Sequence, residues 1–289
     1  MKRIFIIVIC ASILLCNMAC TQAPIKVLIV TGQNTAHNWQ ASSAILQKHL
    51  NQSGLFAADI VVSPARGEDM SGFSPAFSLY QVIVLDYDGD SWHAATNTAF
   101  LDYVNNGGGV VVYHAANNSF PDWKEYNEII GLGGWGNRCE KDGPYVYFMD
   151  GKEVRDNSPG RGGSHGRQHE FVIDLRDKEH PVTKGLPDSW QHGKDELYDR
   201  LRGPAKNMTI LATAFCDSAT GGTNRDEPVL MAIEWGRGRI FHTVLGHVGK
   251  GTEHQAVECA SFIVTFLRGT EWAATGKVRQ KAPNDFPVF

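Results

Sequence analysis

The stretch GGGVVVYHAANNSF, residues 107–120, combines a strong strand pattern with a histidine directly after it. Three glycines lead into residues 110–113, a short run that contains no charged residue. Such a run is typical of a strand that is buried on both faces of a parallel sheet. His114 follows at once, and parallel α/β sheets bind their ligands beyond the carboxyl ends of the strands. The stretch therefore predicts a buried strand that presents a histidine to a binding site.

The same alternation of apolar runs and helical patterns extends on both sides of this stretch. Apolar runs predict four strands, at residues 25–31, 56–62, 80–87 and 110–113. Helical spacing of apolar residues predicts helices over residues 39–50 and 94–104. Later segments predict four further strands and a closing helix, at residues 169–175, 208–215, 228–235, 239–245 and 253–268. This order indicates an α/β fold with a mostly parallel central sheet covered on both faces.

Composition and charge limit the class of protein. The 289 residues are 43% hydrophobic and 20% charged, which is typical of a soluble globular protein with a sizeable core. We expect a single domain over residues 21–289, with a polar tail from about residue 270. The net charge of −4 becomes −6 if Lys2 and Arg3 are removed with the N-terminal segment, and no basic patch stands out. Nucleic acid is therefore not expected as a partner.

Residues 1–20 have the pattern of a secretory signal of the lipoprotein type. Lys2 and Arg3 precede an apolar stretch that is too short to span a bilayer, and Ala19 is a small residue before Cys20. Cys20 would carry the lipid; cleavage near Ala19 or Ala23 without lipid is the alternative. The segment predicts an exported bacterial protein of the periplasm or cell surface, whose membrane contact is limited to the lipid on Cys20.

Three cysteines follow the signal: Cys139, Cys216 and Cys259. They are widely spaced, allow one disulfide at most and match no metal-binding motif. We expect all three to be small buried residues. The glycine-rich runs match neither a dinucleotide fingerprint nor a P-loop, so no nucleotide cofactor is expected.

Histidines stand where the predicted strands end. His37 follows the first strand, His114 the fourth and His247 the last. Because the carboxyl ends of parallel strands meet at one edge of a sheet, we expect these side chains to lie close together. No two histidines have the spacing of a helical HExxH metal motif, so the prediction depends on location. A glycine-rich middle segment leaves open whether His165 or His169 joins them.

Three blocks of the sequence resemble the trehalose-utilisation (ThuA) family. They are VVVYHAANNSF (residues 110–120), HPVTKGLPDSWQHGKDELYDRL (180–201) and EPVLMAIEWGRGRIFHTVLGHV (227–248). The resemblance extends over roughly residues 25–270. It implies the fold of the class I glutamine amidotransferases, a flavodoxin-like three-layer α/β sandwich, which agrees with the sheet predicted above.

The resemblance also gives His114 a special place. In the amidotransferases the turn after this strand holds a nucleophilic cysteine, whereas here it holds His114, and the next Ser or Cys is Ser119. The chain is therefore not expected to be a glutamine amidotransferase. A histidine at this position can still bind a metal ion, act as a general base or hydrogen-bond a sugar hydroxyl.

These considerations give a candidate site with three kinds of residue. The expected catalytic residues are His114, Glu196 and His247. The expected metal ligands are His114, His169 and His247. The expected substrate-binding residues are His37, Asp86, Asn117, Trp135 and Tyr198. Histidines with one carboxylate suit a divalent metal ion, zinc first, that keeps an open position.

The family's link to trehalose implies a role in the catabolism of a disaccharide or keto-sugar. The first hypothesis is an enzyme, a hydrolase, lyase or isomerase with a small sugar as ligand and a His-centred site, in which either a metal-bound water or the imidazoles themselves move protons. The alternative is a sugar-binding or accessory protein that keeps the fold without turnover. The sequence leaves the sugar, the bond and the oligomeric state open.

Overall fold

A mixed sheet of eleven strands organises the chain. The structure, a computed structural model, describes residues 23–251, 254–284 and 286–287. The predicted signal and Cys20 lie outside these residues. None of the described helices is long and apolar enough to cross a membrane.

Among the described residues, thirteen strands and five α-helices have the following bounds. The strands are β1 (Ile25–Gly32), β2 (Phe56–Val62), β3 (Val82–Tyr87), β4 (Gly109–Tyr113), β5 (Tyr145–Met149), β6 (Lys152–Asp156), β7 (Ser164–His165), β8 (His169–Leu175), β9 (Ser189–Asp195), β10 (Tyr198–Asp199), β11 (Met208–Cys216), β12 (Arg225–Trp235) and β13 (Gly238–Thr243). The α-helices are α1 (Trp39–Gln52), α2 (Ala94–Asn105), α3 (Lys124–Ile130), α4 (Gln255–Glu258) and α5 (Ala260–Thr275).

Five strands form the parallel half of the sheet, in the order β2-β1-β3-β4-β13. This is the flavodoxin-like order, and the predicted α/β fold is confirmed. The sheet then continues through β12, β11, β8 and β9, all in antiparallel pairs. Strands β12 and β13 form the hairpin expected from the glycines at 236 and 238. The sheet is therefore parallel on one side and antiparallel on the other.

Helices cover both faces of the parallel half. The chain moves outward from β1 to β2 through α1 and in the opposite direction from β3 to β4 through α2. Because such crossovers are right-handed, the two helices lie on opposite faces. Helices α4 and α5 pack with α1. Strand β4 is buried along its whole length between these layers, which explains its continuous apolar sequence.

Several features differ from the sequence-based expectation. Strand β9 and helix α3 were not predicted, since β9 carries the polar sequence SWQHGKD and α3 is short. The closing helix is split at Cys259 into α4 and α5. It also extends to Thr275, with Thr270, Glu271 and Trp272 buried, so the polar tail begins after this helix rather than near residue 270.

Close packing of β4 against α5 gives a test of the fold. A Cβ at Gly109 would lie 2.5 Å from the carbonyl oxygen of Ala273. We expect Gly109→Ala to lower the free energy of unfolding by about 1–3 kcal/mol, because the strand and the helix must separate. Gly72→Ala is the matched control, since a Cβ there meets no atom within 4 Å. Urea unfolding of both variants checks this, and equal stabilities would contradict the packing.

Candidate functional site

The turn after β4 holds His114 in a strained conformation. Its φ is +43°, in the left-handed region that non-glycine residues rarely adopt. The side chain is 2% exposed, and its Nδ1 donates a hydrogen bond of 2.6 Å to the carbonyl of Val244. This bond holds the Nδ1 proton, so the neutral ring presents the Nε2 lone pair on its other side.

His37 reaches the same place from the loop after β1. The Oδ1 atom of Asn34 accepts the backbone N–H groups of Ala36 and His37, both at 3.0 Å. The same oxygen lies 3.2 Å from His37 Nδ1. Since that oxygen accepts, Nδ1 is the donor, and the neutral ring again presents a bare Nε2.

The two imidazoles meet beside a carboxylate. His37 Nε2 lies 3.2 Å from His114 Nε2, and each lies 3.9 Å from Glu196 Oε2. His247 Nδ1 lies 3.1 Å from the same oxygen but forms no hydrogen bond there. We call His37, His114, Glu196 and His247 the His/Glu cluster; one donor atom from each lies within 4.8 Å of the others.

The carboxylate of Asp195 fixes the positions of Glu196 and His247. Asp195 ends β9 and is fully buried. Its Oδ1 accepts the backbone N–H groups of Glu196 at 2.7 Å and His247 at 2.9 Å. Its Oδ2 accepts the N–H of Gly246 at 2.7 Å and the Nε2–H of His192 at 2.9 Å. One side chain thus joins the end of β9 to the loop after β13.

Burial and mutual contacts set the charges in the cluster. Burial lowers the pKa of His114 to about 3, and repulsion from His37 acts in the same direction. Burial alone would raise the pKa of Glu196, but the approach of His247 and His37 outweighs it and holds that pKa well below its usual range. At neutral pH the cluster therefore combines a neutral His114 with an ionised carboxylate.

A cleft of about 590 Å³ opens onto the cluster. Trp135, His165 and Tyr198 line it together with three members of the cluster. The Tyr198 hydroxyl lies 3.0 Å from His114 Nε2, and its ring meets Trp135 at 4.7 Å between centroids. Burial raises the pKa of Tyr198 well above its usual value, so the phenol keeps its proton. The cleft thus joins an aromatic wall to a polar, charged floor.

Comparison with known proteins identifies the family of this chain. The ThuA family, described as trehalose utilisation, matches residues 26–273. A ThuA-like protein of known structure from Parabacteroides merdae is 58% identical to this chain, with a TM-score of 0.90 over 92% of this chain and 95% of its own.

The chain belongs to the ThuA family.

A second ThuA-like structure, from Bacteroides uniformis, shares the fold at 19% identity, with a TM-score of 0.58 over 91% of this chain and 96% of its own. The comparison with functionally curated proteins found no match. The resemblance stated from the sequence is therefore confirmed at the level of the ThuA family and its fold.

Six of the predicted site residues of this ThuA-family chain lie together. They are His37, His114, Trp135, Glu196, Tyr198 and His247. His37 was expected to bind substrate, but it faces His114 as one of the three imidazoles of the cluster.

Three predicted site residues lie elsewhere. His169, expected as a metal ligand, bonds through Nδ1 to the carbonyl of Arg167 and packs against Phe171, outside the cluster. Asn117 is fully buried and contacts His242 at 3.1 Å. Asp86 lies beneath the site, where Ser42 and Thr31 donate to it. The substrate-binding positions of Asn117 and Asp86 are therefore corrected, because neither lines the cleft.

Sequence reasoning missed several residues of the ThuA-family cleft. Arg66, Asp88 and Asn118 line it, and His165 rather than His169 faces the cluster, with Nε2 3.8 Å from Glu196 Oε2. Asp88 had the clearest signal, since it follows β3 by one residue, but it was interpreted as a turn residue. No pattern marked Arg66, which lies in the loop between β2 and β3.

The buried Asp86 predicts a pH-dependent stability. Burial raises its pKa to about 8, against hydrogen bonds from Ser42 and Thr31 that lower it. The folded state therefore keeps a proton that the unfolded chain releases near pH 4, so this contribution to stability falls as the pH rises from about 4 to about 8. Asp86→Asn cannot ionise. We expect the melting temperature of the parent to fall below that of Asp86→Asn as the pH rises through this window.

Thermal unfolding of the parent and of Asp86→Asn, side by side from pH 5 to 9, measures this difference in melting temperature. Glu227, whose pKa burial also raises to about 8, is present in both proteins and cancels in the comparison. Parallel curves for parent and variant would show that Asp86 does not hold its proton.

Proposed function

We propose that the His/Glu cluster binds a divalent transition-metal ion and that the cleft above it acts on a carbohydrate. The observation that carries the metal proposal is the pair of facing nitrogens at 3.2 Å. Each ring has its Nδ1 proton committed to an oxygen, so two lone pairs point at each other beside an ionised carboxylate. The Tyr198 hydroxyl, 3.0 Å from His114 Nε2, can donate to one of these lone pairs; once it turns to another acceptor, the facing lone pairs repel each other and a cation removes the repulsion.

The separations of the donor atoms suit such an ion. Ligand bonds of about 2.1 Å in a tetrahedron place neighbouring donors roughly 3.4 Å apart. The distances from Glu196 Oε2 to the three imidazoles range from 3.1 to 3.9 Å, and the two Nε2 atoms are 3.2 Å apart. Asn34 and the carbonyl of Val244 orient the first two rings, as outer partners of metal-bound histidines commonly do. Three imidazoles with one carboxylate favour zinc or a similar ion.

The cleft offers groups that suit a sugar. Trp135 gives an aromatic face of the kind on which sugar rings stack, and Arg66, Asp88 and Asn118 surround it with polar groups. Asn118 Oδ1 is buried without a hydrogen-bond partner, so it is available to accept a hydroxyl proton from a ligand or from Tyr198. Membership of a family described as trehalose utilisation supports the same substrate class.

The residues divide the chemistry between them. A divalent ion at the cluster would supply a Lewis acid and would lower the pKa of a bound water. Burial raises the pKa of Asp88, so this carboxyl keeps a proton to a higher pH than an exposed one and can donate it to a leaving oxygen. His165, 38% exposed beside Glu196, can take a proton from a hydroxyl of the substrate. These roles fit a hydrolase, lyase or isomerase of a disaccharide or keto-sugar.

Metal content is the first prediction of this proposal. We expect the purified protein to bind about one equivalent of zinc or a related ion, and His37→Ala and His114→Ala to weaken binding at least tenfold, because each removes one ligand. His169→Ala is the matched control, since this histidine lies outside the cluster. Elemental analysis and calorimetric titration measure the effect. Undiminished binding in both cluster variants would refute the site.

Sugar recognition is the second prediction. We expect Trp135→Ala to weaken binding of a disaccharide about tenfold, the equivalent of roughly 1.4 kcal/mol of lost stacking, without changing the metal content. Trp235→Ala is the control, because Trp235 bonds to Glu128 away from the cleft. A panel of disaccharides that starts with trehalose, followed by calorimetry and product analysis, gives the answer. Binding without turnover would indicate a sugar-binding protein, and no binding would reject the carbohydrate.

A further inference from the structure

A second group of reactive side chains lies behind the His/Glu cluster, where α4 ends and α5 begins. Cys259 Sγ lies 3.6 Å from His192 Nδ1, and His192 Nε2 lies 2.9 Å from Asp195 Oδ2. A nucleophile, a base and a carboxylate that orients the base therefore stand in line. The cleft described above does not contain Cys259 or His192.

Hydrogen bonding determines which nitrogen of His192 faces the sulfur. Asp195 already accepts three backbone N–H groups, and a carboxylate can only accept, so the Nε2 of His192 carries a proton. The Nδ1 atom faces Cys259 and also Ser261, whose hydroxyl lies 2.9 Å away and accepts the indole N–H of Trp190. The ring is thus fixed with Nδ1 between the Ser261 hydroxyl and the thiol. It can take the thiol proton in place of the carbonyl of Ala256, which lies 3.4 Å from the sulfur.

The surroundings favour the charged pair. Burial opposes the charge of His192, but the bond to Asp195 outweighs it and raises the pKa to about 9. Burial likewise raises the pKa of the Cys259 thiol, but the hydrogen bond with His192 and its charge outweigh this and lower it. Cys259 is also the residue before the sixteen-residue helix α5, whose positive end favours a thiolate. Two other titratable groups lie nearby. Glu258 of α4 precedes Cys259 in the chain, and His49 of α1 bonds to the carbonyl of Val257 rather than to the thiol.

The other two described cysteines differ in these respects. Cys216 is buried beside Asp199, and burial together with that carboxylate raises its pKa to about 12. Cys139 is partly exposed like Cys259, but its side chain accepts the backbone N–H of Asp142 and has no histidine as a hydrogen-bond partner among the described residues. Cys259 also packs closely on Gly193, where a Cβ would lie 3.4 Å from the sulfur. All three are free thiols.

We propose that Cys259 is a reactive thiolate, activated by His192 and Asp195, that is oxidised by small hydroperoxides. The thiolate sulfur attacks one oxygen of the peroxide, and the O–O bond breaks. The sulfur is oxidised to a sulfenic acid, and the departing oxygen is reduced and leaves as hydroxide, or as alkoxide from an alkyl hydroperoxide. This oxygen takes a proton from the imidazolium of His192 and leaves as water or alcohol. This site goes beyond the carbohydrate chemistry of the cleft and does not depend on it.

Two reagents test the proposal on the intact protein. Iodoacetamide alkylation of each cysteine is followed by peptide mass spectrometry from pH 5 to 10, and hydrogen peroxide oxidation is followed by dimedone capture of the sulfenic acid. We expect Cys259 to be alkylated at least tenfold faster than Cys139 at pH 6, with a midpoint well below the pH of about 8.5 typical of a free thiol. We also expect the dimedone adduct on Cys259 and not on Cys139.

Variants identify the base. His192→Gln should lower the alkylation rate of Cys259 to that of Cys139, whereas His169→Gln, which changes the histidine on the other side of Phe171, should leave it unchanged. If His192→Gln does not fold, the pH dependence of Cys259 alkylation in the parent protein tests the proposal by itself. A midpoint at or above pH 8.5, a rate equal to that of Cys139, or the absence of the dimedone adduct would each overturn the proposal.

Discussion

Four hydrogen bonds to the buried carboxylate of Asp195 determine the geometry of the site. This carboxylate is fully enclosed and yet makes four hydrogen bonds, three of them with backbone N–H groups. An isolated buried charge would be costly, and these donors offset the cost. They also determine geometry, because the N–H groups of Glu196 and His247 are bound to the same oxygen. Loss of this carboxylate would release two of the four side chains of the cluster together.

The other half of the cluster depends on backbone strain. His114 leaves β4 with a positive φ, a conformation that costs free energy and persists only where the surroundings hold it. The bond to the carbonyl of Val244 and the buried position of the ring supply that restraint. His37, in contrast, is held by a short polar loop through Asn34. The buried turn after β4 therefore holds His114, whereas hydrogen bonds to Asn34 and Asp195 hold the other three members of the cluster.

The sequence predicted the parallel half of the sheet well and the details of the site less completely. Strands such as β1, β3 and β4 are buried on both faces, so their apolar runs reveal them directly. Strand β9 was missed because its polar residues His192 and Asp195 point into hydrogen-bonded interior sites rather than to solvent. His169 and His165 stand in one glycine-rich segment, and only tertiary structure shows that His165 faces Glu196. The spacing of apolar residues predicts which residues of a strand or helix are buried. It does not predict which loops meet at the site.

His114 lies in the sharp turn that follows β4. A sharp strand-to-helix turn presents its side chain away from the sheet, which serves a nucleophile in other proteins. The imidazole of His114 is not placed for nucleophilic attack. Its Nδ1–H is bound to the carbonyl of Val244, and its Nε2 faces a second imidazole at 3.2 Å. The turn instead places one nitrogen lone pair toward three other donor atoms. The positive φ of His114 therefore turns its Nε2 atom toward the other donor atoms of the His/Glu cluster.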